Sequence, residues 1–352
     1  MLTLLVATAL AQEPNDVAPE AAEGEGAEGE GAGGEGAEGE GAEGEGAEDE
    51  ADAEPEGTTT VKVGVHVNDI MAIDLRTHSF MADGYIWMKW TGDRDPASGM
   101  EFINPYELWG HMEEMNFEEP EELEDGTKDQ VIRFQGGFSQ KLPLYDYPFD
   151  KQVLTVIFED AVDNTDGVVY TSDGITVNPA LVLPGFTIGK PNLAIEAHTY
   201  ETTFGDPRQA KPETYARARI EIPIARPVLA YAVKLQLPVL CAAVSAVLMF
   251  LFSPSRVDAR VSVGITSLLT IVALQITLNE DLPEVGYLTL MDKLYVCAYL
   301  VVISGLLAVV YSTRLVETGH EDRAVAFDRK VMWTIMVLFV VSVAFLLGAA
   351  AT

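Results

Sequence analysis

The C-terminal part of the chain contains four apolar segments, each close to the length that a helix needs to cross a membrane. They are Leu229–Phe252, Val261–Asn279, Leu294–Thr313 and Val331–Ala350. A helix rises about 1.5 Å per residue, so roughly 20 residues span the ~30 Å hydrocarbon core of a bilayer. Residues 227–352 are therefore predicted to form a four-helix transmembrane domain.

The second apolar segment carries a polar stripe. Between Asp258 and Glu280 one set of residues recurs at steps of three and four, which is one face of a helix. The set is Asp258, Ser262, Thr266, Leu269, Ala273, Ile276 and Glu280. Polar groups are costly in lipid, so this face predicts a helix that lines a narrow water path. The alternative is a helix inside an ordinary bundle, with Ser262 and Thr266 bonded to their own backbone carbonyls.

Loop charges predict the orientation of these helices. Six Lys and Arg residues lie in the stretches 253–260 and 314–330, whereas the stretch between the second and third segments begins with Glu280, Asp281 and Glu284. The positive-inside rule places the two basic stretches in the cytoplasm and the preceding domain outside. Residues 1–11 end in a small-x-small pattern, which is typical of a secretory signal peptide and indicates the same side.

Two further regions precede the membrane domain. Residues 12–58 are rich in Gly, Ala and Glu and repeat with a five-residue period, so we expect an acidic, disordered segment. Residues 59–226 contain short alternating runs separated by turn residues, which predicts an extracellular antiparallel β-sandwich. The formal net charge of −33 argues against nucleic acid as a partner. Cys241 and Cys297 lie in apolar runs, and neither predicts a disulfide or a metal site.

Several short motifs occur in a fixed order along residues 59–350. They are Trp90-x-x-Asp93, Tyr147-Pro148-Phe149-Asp150, Arg226, the run RVSVGITSLLT from Arg260, and Leu282-Pro283 with Tyr287. Together they resemble the pentameric ligand-gated ion channels, the Cys-loop receptor superfamily, whose signature loop has an aromatic-Pro-Phe-Asp centre. The run from Arg260 closely resembles the second helix of the glycine and GABA receptor branch.

The resemblance implies a channel subunit rather than an enzyme. Animal members close the signature loop with a disulfide, but Gln140 and Leu154 stand at the matching positions here, as in bacterial members. The implied protein is a C5 homopentamer in the plasma membrane (the bacterial inner membrane), with its β-domain on the extracellular or periplasmic side. It has no cofactor, and an extracellular stimulus between neighbouring β-domains opens a passive pore.

The resemblance also implies a coupling element at the junction of the two domains. Phe149 is expected to insert toward the membrane domain, and Asp150 is expected to pair with Arg226, because an unpaired buried charge is costly. Tyr147, Pro148, Pro283 and Tyr287 complete this set. A purely structural ion pair is the alternative interpretation.

The pore residues point to a charge preference. A ring of five Asp258 carboxylates favours cations, while Leu269, Ala273 and Ile276 form a hydrophobic gate. However, the Ala259-Arg260-Val261 sequence resembles the anion-selective branch, which has Pro where Asp258 stands. Arg260 lies about 160° from Ser262 around the helix, away from the stripe. We therefore expect cation selectivity, with an anion-selective channel as the alternative.

The ligand site is predicted at the interface between β-domains. One wall is acidic, and a capping hairpin near 199–215 adds two tyrosines, with a tryptophan from the facing subunit. The predicted residues are Glu159, Asp160, Asp163, Tyr200, Tyr215, Trp87 and Trp90. These groups suit a small-molecule amine by cation–π contact, a proton or a metal cation.

A second acidic cluster, Glu113–Asp125, is a candidate for Ca²⁺ modulation through Glu113, Glu114 and Glu118. A solvated acidic loop is the alternative. For the whole chain, the competing classes are a non-conducting membrane-anchored binding module and a secondary transporter. The sequence contains no Ser-His-Asp setting, HExxH motif or phosphate-binding glycine loop.

Overall fold

A computed structural model describes residues 57–107, 110–205 and 212–350. The predicted signal peptide, and the acidic segment up to residue 56, lie outside these described residues. The fold is therefore given from Gly57 onward.

The N-terminal domain is built from two β-sheets. Its strands are β1 (Thr59–Asp74), β2 (Ser79–Trp90), β3 (Met100–Phe102), β4 (Met112–Met115), β5 (Glu121–Glu122), β6 (Lys128–Ser139), β7 (Lys151–Asn164), β8 (Val168–Val177), β9 (Thr187–Ile188), β10 (Asn192–Thr199) and β11 (Thr214–Ala225). The first sheet has the order β4-β6-β2-β1-β8, with β5 also paired to β6. The second has the order β10-β11-β7-β3, with β9 paired to β11. All pairs are antiparallel except β1 with β8.

The alternation of apolar and polar residues that predicts strands also identifies which side chains face the core. Val61, Val63 and Val65 of β1 face inward, while Lys62 between them is exposed. Side chains from the two sheets meet in one apolar cluster, where the rings of Phe102 on β3 and Phe134 on β6 lie 5.3 Å apart. The predicted β-sandwich is confirmed, and its flanking loops reach the membrane domain.

The membrane domain consists of helices α1 (Val228–Leu251), α2 (Val257–Glu280), α3 (Leu290–Glu317) and α4 (Glu321–Ala350). Within the described residues, these four are long and apolar enough to cross a membrane. The chain is therefore a multi-pass membrane protein. Helix α1 has a π-helical turn over Ala232–Gln236, next to Pro238, which has no backbone N–H to donate to a preceding carbonyl.

The helices extend further than their apolar segments. The basic stretch 314–330 does not form a long loop, because α3 continues to Glu317 and α4 begins at Glu321. The turn between them is Thr318-Gly319-His320, and Gly319 adopts a φ of 79°, which glycine tolerates best. At the other end of α3, Thr289 and Asp292 form a reciprocal capping box. The four helices are therefore joined by short, defined connections.

Candidate functional site

The polar stripe of α2 is the exposed face of that helix. All seven stripe residues from Asp258 to Glu280 are exposed in the single chain, including the apolar Leu269 and Ile276. The opposite face is buried against the other helices through Arg260, Gly264, Ser267, Ile271 and Leu278. The helix therefore has one face committed to its own chain and one face free for water or for other copies of the chain.

Arg260 belongs to the buried face and takes part in a contact network from all four helices. Its side chain is fully buried, and its Nη2 lies 2.9 Å from Asp328 Oδ2 on α4. Nη1 donates to Ser312 Oγ on α3 at 2.9 Å, and Nε donates to the Met249 carbonyl on α1 at 3.2 Å. The guanidinium also lies 5.5 Å from the ring centroid of Phe250. Arg260 thus points away from the stripe, as helical geometry predicts.

Arg226 is the central residue of the junction between the β-domain and the helices. Its Nε donates to Asp150 Oδ1 at 2.9 Å, and both side chains are buried. The guanidinium lies 4.5 Å from the ring of Phe186, 5.1 Å from that of Tyr147 and 5.2 Å from that of Tyr231. Three rings and one carboxylate enclose the cation, which compensates for the water it loses on burial.

The signature loop also contacts the connection between α2 and α3. The ring of Tyr287 stacks on Tyr145 at 4.0 Å, and its hydroxyl accepts a hydrogen bond from the Leu144 backbone N–H at 2.8 Å. The Leu290 backbone N–H donates to the Tyr145 carbonyl at 2.9 Å. These contacts attach the β-domain to the end of α2 and the start of α3, the helices that flank the connection.

The remaining predicted coupling residues lie in the same region. Pro148 is buried, Phe149 and Pro283 are half-buried, and Pro283 lines a cavity of about 380 Å³ together with Leu144 and Tyr287. The turn between β1 and β2 makes a second link, because Arg76 Nη1 donates to the Glu280 carbonyl at 3.0 Å. Hydrogen bonds therefore link the β-domain to the membrane domain at two places: from the signature loop to the connection between α2 and α3, and from the turn between β1 and β2 to the end of α2.

The predicted ligand wall contains a hydrogen-bonded triad, in which Glu159 and Arg217 are buried and Tyr200 is half-buried. Tyr200 Oη donates to Glu159 Oε1 at 2.6 Å, Arg217 Nε donates to Glu159 Oε2 at 2.8 Å, and Arg217 Nη2 donates to Tyr200 Oη at 2.9 Å. The pairing register of β11 with β7 places Arg217 directly opposite Glu159. The acidic wall is thus partly neutralised by an arginine that sequence reasoning did not include.

Aromatic rings surround Tyr200 on the capping hairpin. Ring centroids of His198, Phe204 and Tyr215 lie 4.7, 5.2 and 5.9 Å from it. Phe204 is 70% exposed and has a left-handed φ of 51°, which is uncommon for a bulky residue. A hydrogen bond to the Glu213 carboxylate raises the pKa of Tyr215 to about 12, and burial raises that of Tyr200. Residues 206–211 of the hairpin lie outside the described part.

The other two predicted acids have different environments. Asp163 pairs with Arg94 at 2.5 Å. Asp160 is fully buried: its Oδ1 accepts hydrogen bonds from the backbone of Val162 and Asp163, while its Oδ2 accepts none from the described residues. Burial raises the pKa of Asp160 above its usual 3.8. Asp160 therefore supports the backbone of the wall from the protein interior, and its side chain is not accessible to a ligand.

The two predicted tryptophans lie on opposite faces of β2, because they are three residues apart and side chains alternate along a strand. Trp90 is 2% exposed in the sandwich core, where its Nε1 donates to the Arg94 carbonyl, so the expectation that it faces a ligand is wrong. Trp87 faces outward across Gly64, and its Nε1 donates to Asp173 Oδ2 at 2.8 Å. Of the two, only Trp87 has the exposure that a facing-subunit site requires.

The candidate calcium residues do not converge. Glu113 and Glu114 are adjacent on the edge strand β4, so their side chains diverge, and Glu118 lies in the following loop. Glu113 instead lies 3.1 Å from His111 Nε2. Among residues 57–107, 110–205 and 212–350, no three His, Cys, Asp or Glu side chains form a group that could hold a metal ion. We therefore propose no calcium site here.

Comparison with known proteins supports the resemblance seen in the motifs. No family model matches the sequence. Over 220 residues, 59% of this chain, it is 24% identical to the gamma-aminobutyric acid receptor subunit alpha-2 of Bos taurus, covering 46% of that protein. Over 187 residues, 52% of this chain, it is 24% identical to the gamma-aminobutyric acid receptor subunit beta-4 of Gallus gallus, covering 36% of it. The chain thus spans less than half the length of these relatives.

The fold and these similarities point to the same class of protein. The structure has a β-sandwich followed by four membrane-length helices. With its similarity to two receptor subunits over 52–59% of its length, the chain resembles the pentameric ligand-gated ion channel superfamily, also called the Cys-loop receptors.

The buried Asp160 carboxyl yields a pH-dependent stability prediction. Because its pKa is raised by folding, the folded chain holds this proton more tightly, and the ionised form costs stability at pH values above the folded pKa. Asp160→Asn removes that cost and keeps the Oδ1 acceptor. In detergent, the variant is expected to melt above the wild type at pH ~8, and the difference should shrink toward pH ~4.

The control for this experiment is Asp166→Asn, which removes an exposed carboxylate from the turn that follows β7. Its melting temperature should follow that of the wild type across the pH range. A pH-independent difference between Asp160→Asn and the wild type would contradict the prediction.

Proposed function

We propose that this chain is one subunit of a ligand-gated ion channel built from five identical copies around a pore lined by α2. The observation that carries the proposal is the exposed stripe from Asp258 to Glu280 on a helix whose other face is buried in its own chain. One chain cannot enclose a channel with a single polar stripe, whereas closed cyclic symmetry brings identical stripes together. Ions pass down their gradient without chemical reaction.

The proposed membrane is the bacterial inner membrane, with the β-domain on the periplasmic side. The basic residues near Arg256 and Arg323 support a cytoplasmic location for the connections between α1 and α2 and between α3 and α4. The opposite ends of the helices contact the β-domain through Arg76 and Tyr287. This orientation places Asp258 at the inner mouth of the pore and Glu280 at the outer mouth.

We propose that the channel prefers cations. Five exposed Asp258 carboxylates form a ring that attracts cations, and Arg260 is buried with a carboxylate partner, so its charge does not face the lumen. Anion selectivity is the second candidate, because α2 resembles the anion-selective branch and both reported relatives are GABA receptor subunits. The charge of the Asp258 ring distinguishes the two.

The proposed stimulus is a small molecule with an ammonium group that binds between neighbouring β-domains. The exposed Phe204 and the half-buried Tyr200 and Tyr215 form an aromatic group suited to cation–π contact, next to the Glu159 carboxylate. Trp87 of the adjacent subunit is the proposed facing residue. Proton gating is the second candidate, with Asp160 as a buried carboxyl behind this wall whose pKa is raised by burial.

Reversal potentials test the selectivity proposal. Purified protein is reconstituted in planar bilayers across a salt gradient, and a screen of GABA, primary amines and external pH supplies the opening stimulus. Asp258→Asn should lower the cation-to-anion permeability ratio by on the order of tenfold, because the carboxylate ring is lost. The control is Glu317→Gln, an exposed acid on the same membrane side but on α3. A wild-type channel that prefers anions would favour the second candidate, and an unchanged ratio in Asp258→Asn would refute the ring assignment.

The junction pair yields a separate prediction about coupling. Asp150→Asn leaves Arg226 buried without its counter-charge, and breaking a buried pair costs up to about 3–5 kcal/mol. If the pair transmits gating, the variant still assembles with wild-type conductance and selectivity, but its half-maximal response needs at least about tenfold more stimulus. Asp146→Asn changes an exposed acid of the same loop and should respond as the wild type does. Loss of pentamers on size exclusion, with a normal response from those that remain, would instead identify a structural pair.

A further inference from the structure

We infer that Asp328 on α4 is a positioning residue for charge selectivity, because it holds Arg260 inside the bundle and neutralises its charge beside the inner mouth of the pore. This inference rests on the proposed pore but assigns a selectivity role to a residue on α4, outside the proposed pore-lining helix.

The geometry commits Arg260 to this network. Its side chain is fully buried, and its three nitrogens contact Asp328, Ser312 and the Met249 carbonyl at 2.9, 2.9 and 3.2 Å. Of these partners only Asp328 carries a charge. Among the described residues, it is the carboxylate that forms an ion pair with Arg260. Asp328 is itself 3% exposed, so each charge depends on the other for compensation.

The position of the pair explains why it matters for ions. Arg260 is two residues from Asp258, which is about 3 Å along the helix axis. An uncompensated guanidinium at that level in each of five subunits would oppose the field of five Asp258 carboxylates. A paired guanidinium contributes only a dipole, whose field falls off faster with distance than that of a charge. The charge of Asp328 therefore determines whether Arg260 opposes the field of the Asp258 carboxylate ring.

The other arginines near the inner mouth do not supply the counter-charge that Asp328 gives to Arg260, because their charge has the same sign. They are Arg256, Arg314, Arg323 and Arg329, and all four are exposed, where salt screens them. Asp322 is an exposed acid of the same helix, six residues before Asp328. It therefore offers a matched control for a general effect of negative charge on α4.

The test compares reversal potentials of the full-length pentamer in planar bilayers across a KCl gradient. Asp328→Asn should shift the cation-to-anion permeability ratio toward anions by on the order of tenfold, because five uncovered positive charges act oppositely on the two ions. Arg260→Gln should shift the ratio toward cations, because the Asp328 charge is then uncovered. The double variant Arg260→Gln/Asp328→Asn should return to within about twofold of the wild type, since both charges are gone. Asp322→Asn should match the wild type.

These variants distinguish an effect on charge selectivity from a failure of the channel to assemble. If Asp328→Asn alone does not assemble on size exclusion, Arg260→Gln and the double variant still make opposite predictions, and equal ratios in the two would overturn the inference. Asp328→Asn pentamers with the wild-type ratio would overturn it directly. If the wild type proves anion-selective, the proposed cation preference fails, but Asp328→Asn must still shift the ratio further toward anions.

Discussion

Hydrocarbon offers no partner to a charged side chain, and helix α2 meets this constraint by sorting its charges between two faces. Arg260 is buried, but it receives a carboxylate, a hydroxyl and a carbonyl from three other helices. Asp258 and Glu280 lie on the exposed face, at the two ends of the helix. A stripe of this kind is tolerated in a membrane only beside water or a partner, and this requirement is the physical basis for the proposed pore between several copies of the chain.

The same principle governs the junction above the membrane. Arg226 is buried between the sandwich and the helices, and it is compensated by Asp150 and three aromatic rings. Removing either charge would leave the other unpaired in a dry site, so the pair joins the two domains. The neighbouring contacts of Tyr287 and Arg76 attach the β-domain to the C-terminal end of α2, which is the route by which we propose that a movement of the sandwich reaches this helix.

The parts of this structure that follow from local periodicity could be predicted from sequence. The 3.6-residue period of α2 identifies its exposed stripe, and the alternation in β1 identifies the core face of that strand. The parts that depend on register could not. Arg217 meets Glu159 only because β11 pairs with β7 in one register, 58 residues apart in sequence. Strand alternation shows that Trp87 and Trp90 face opposite ways, but the packing of the sheet decides which of them is buried.

The partner of Arg260 could not be predicted from sequence either, because it lies on another helix far along the chain. Asp328 lies in a stretch that reads as a basic loop, and only the tight turn at Gly319 makes it part of a helix that packs against α3 and brings Asp328 to Arg260. Helical phase alone shows that Arg260 points away from Asp258, but it does not show which side chain receives the charge.

Whether the stripe of α2 faces water inside a conducting pore can be measured directly. The measurement is block of single-channel current by a water-soluble thiol reagent in planar bilayers, with Cys241 and Cys297 replaced by alanine. Thr266→Cys lies on the stripe and Ser267→Cys lies next to it on the buried face. We expect the reagent to block current through the first variant and to leave the second conducting. Current through Thr266→Cys that is untouched by the reagent, or block confined to Ser267→Cys, would contradict it.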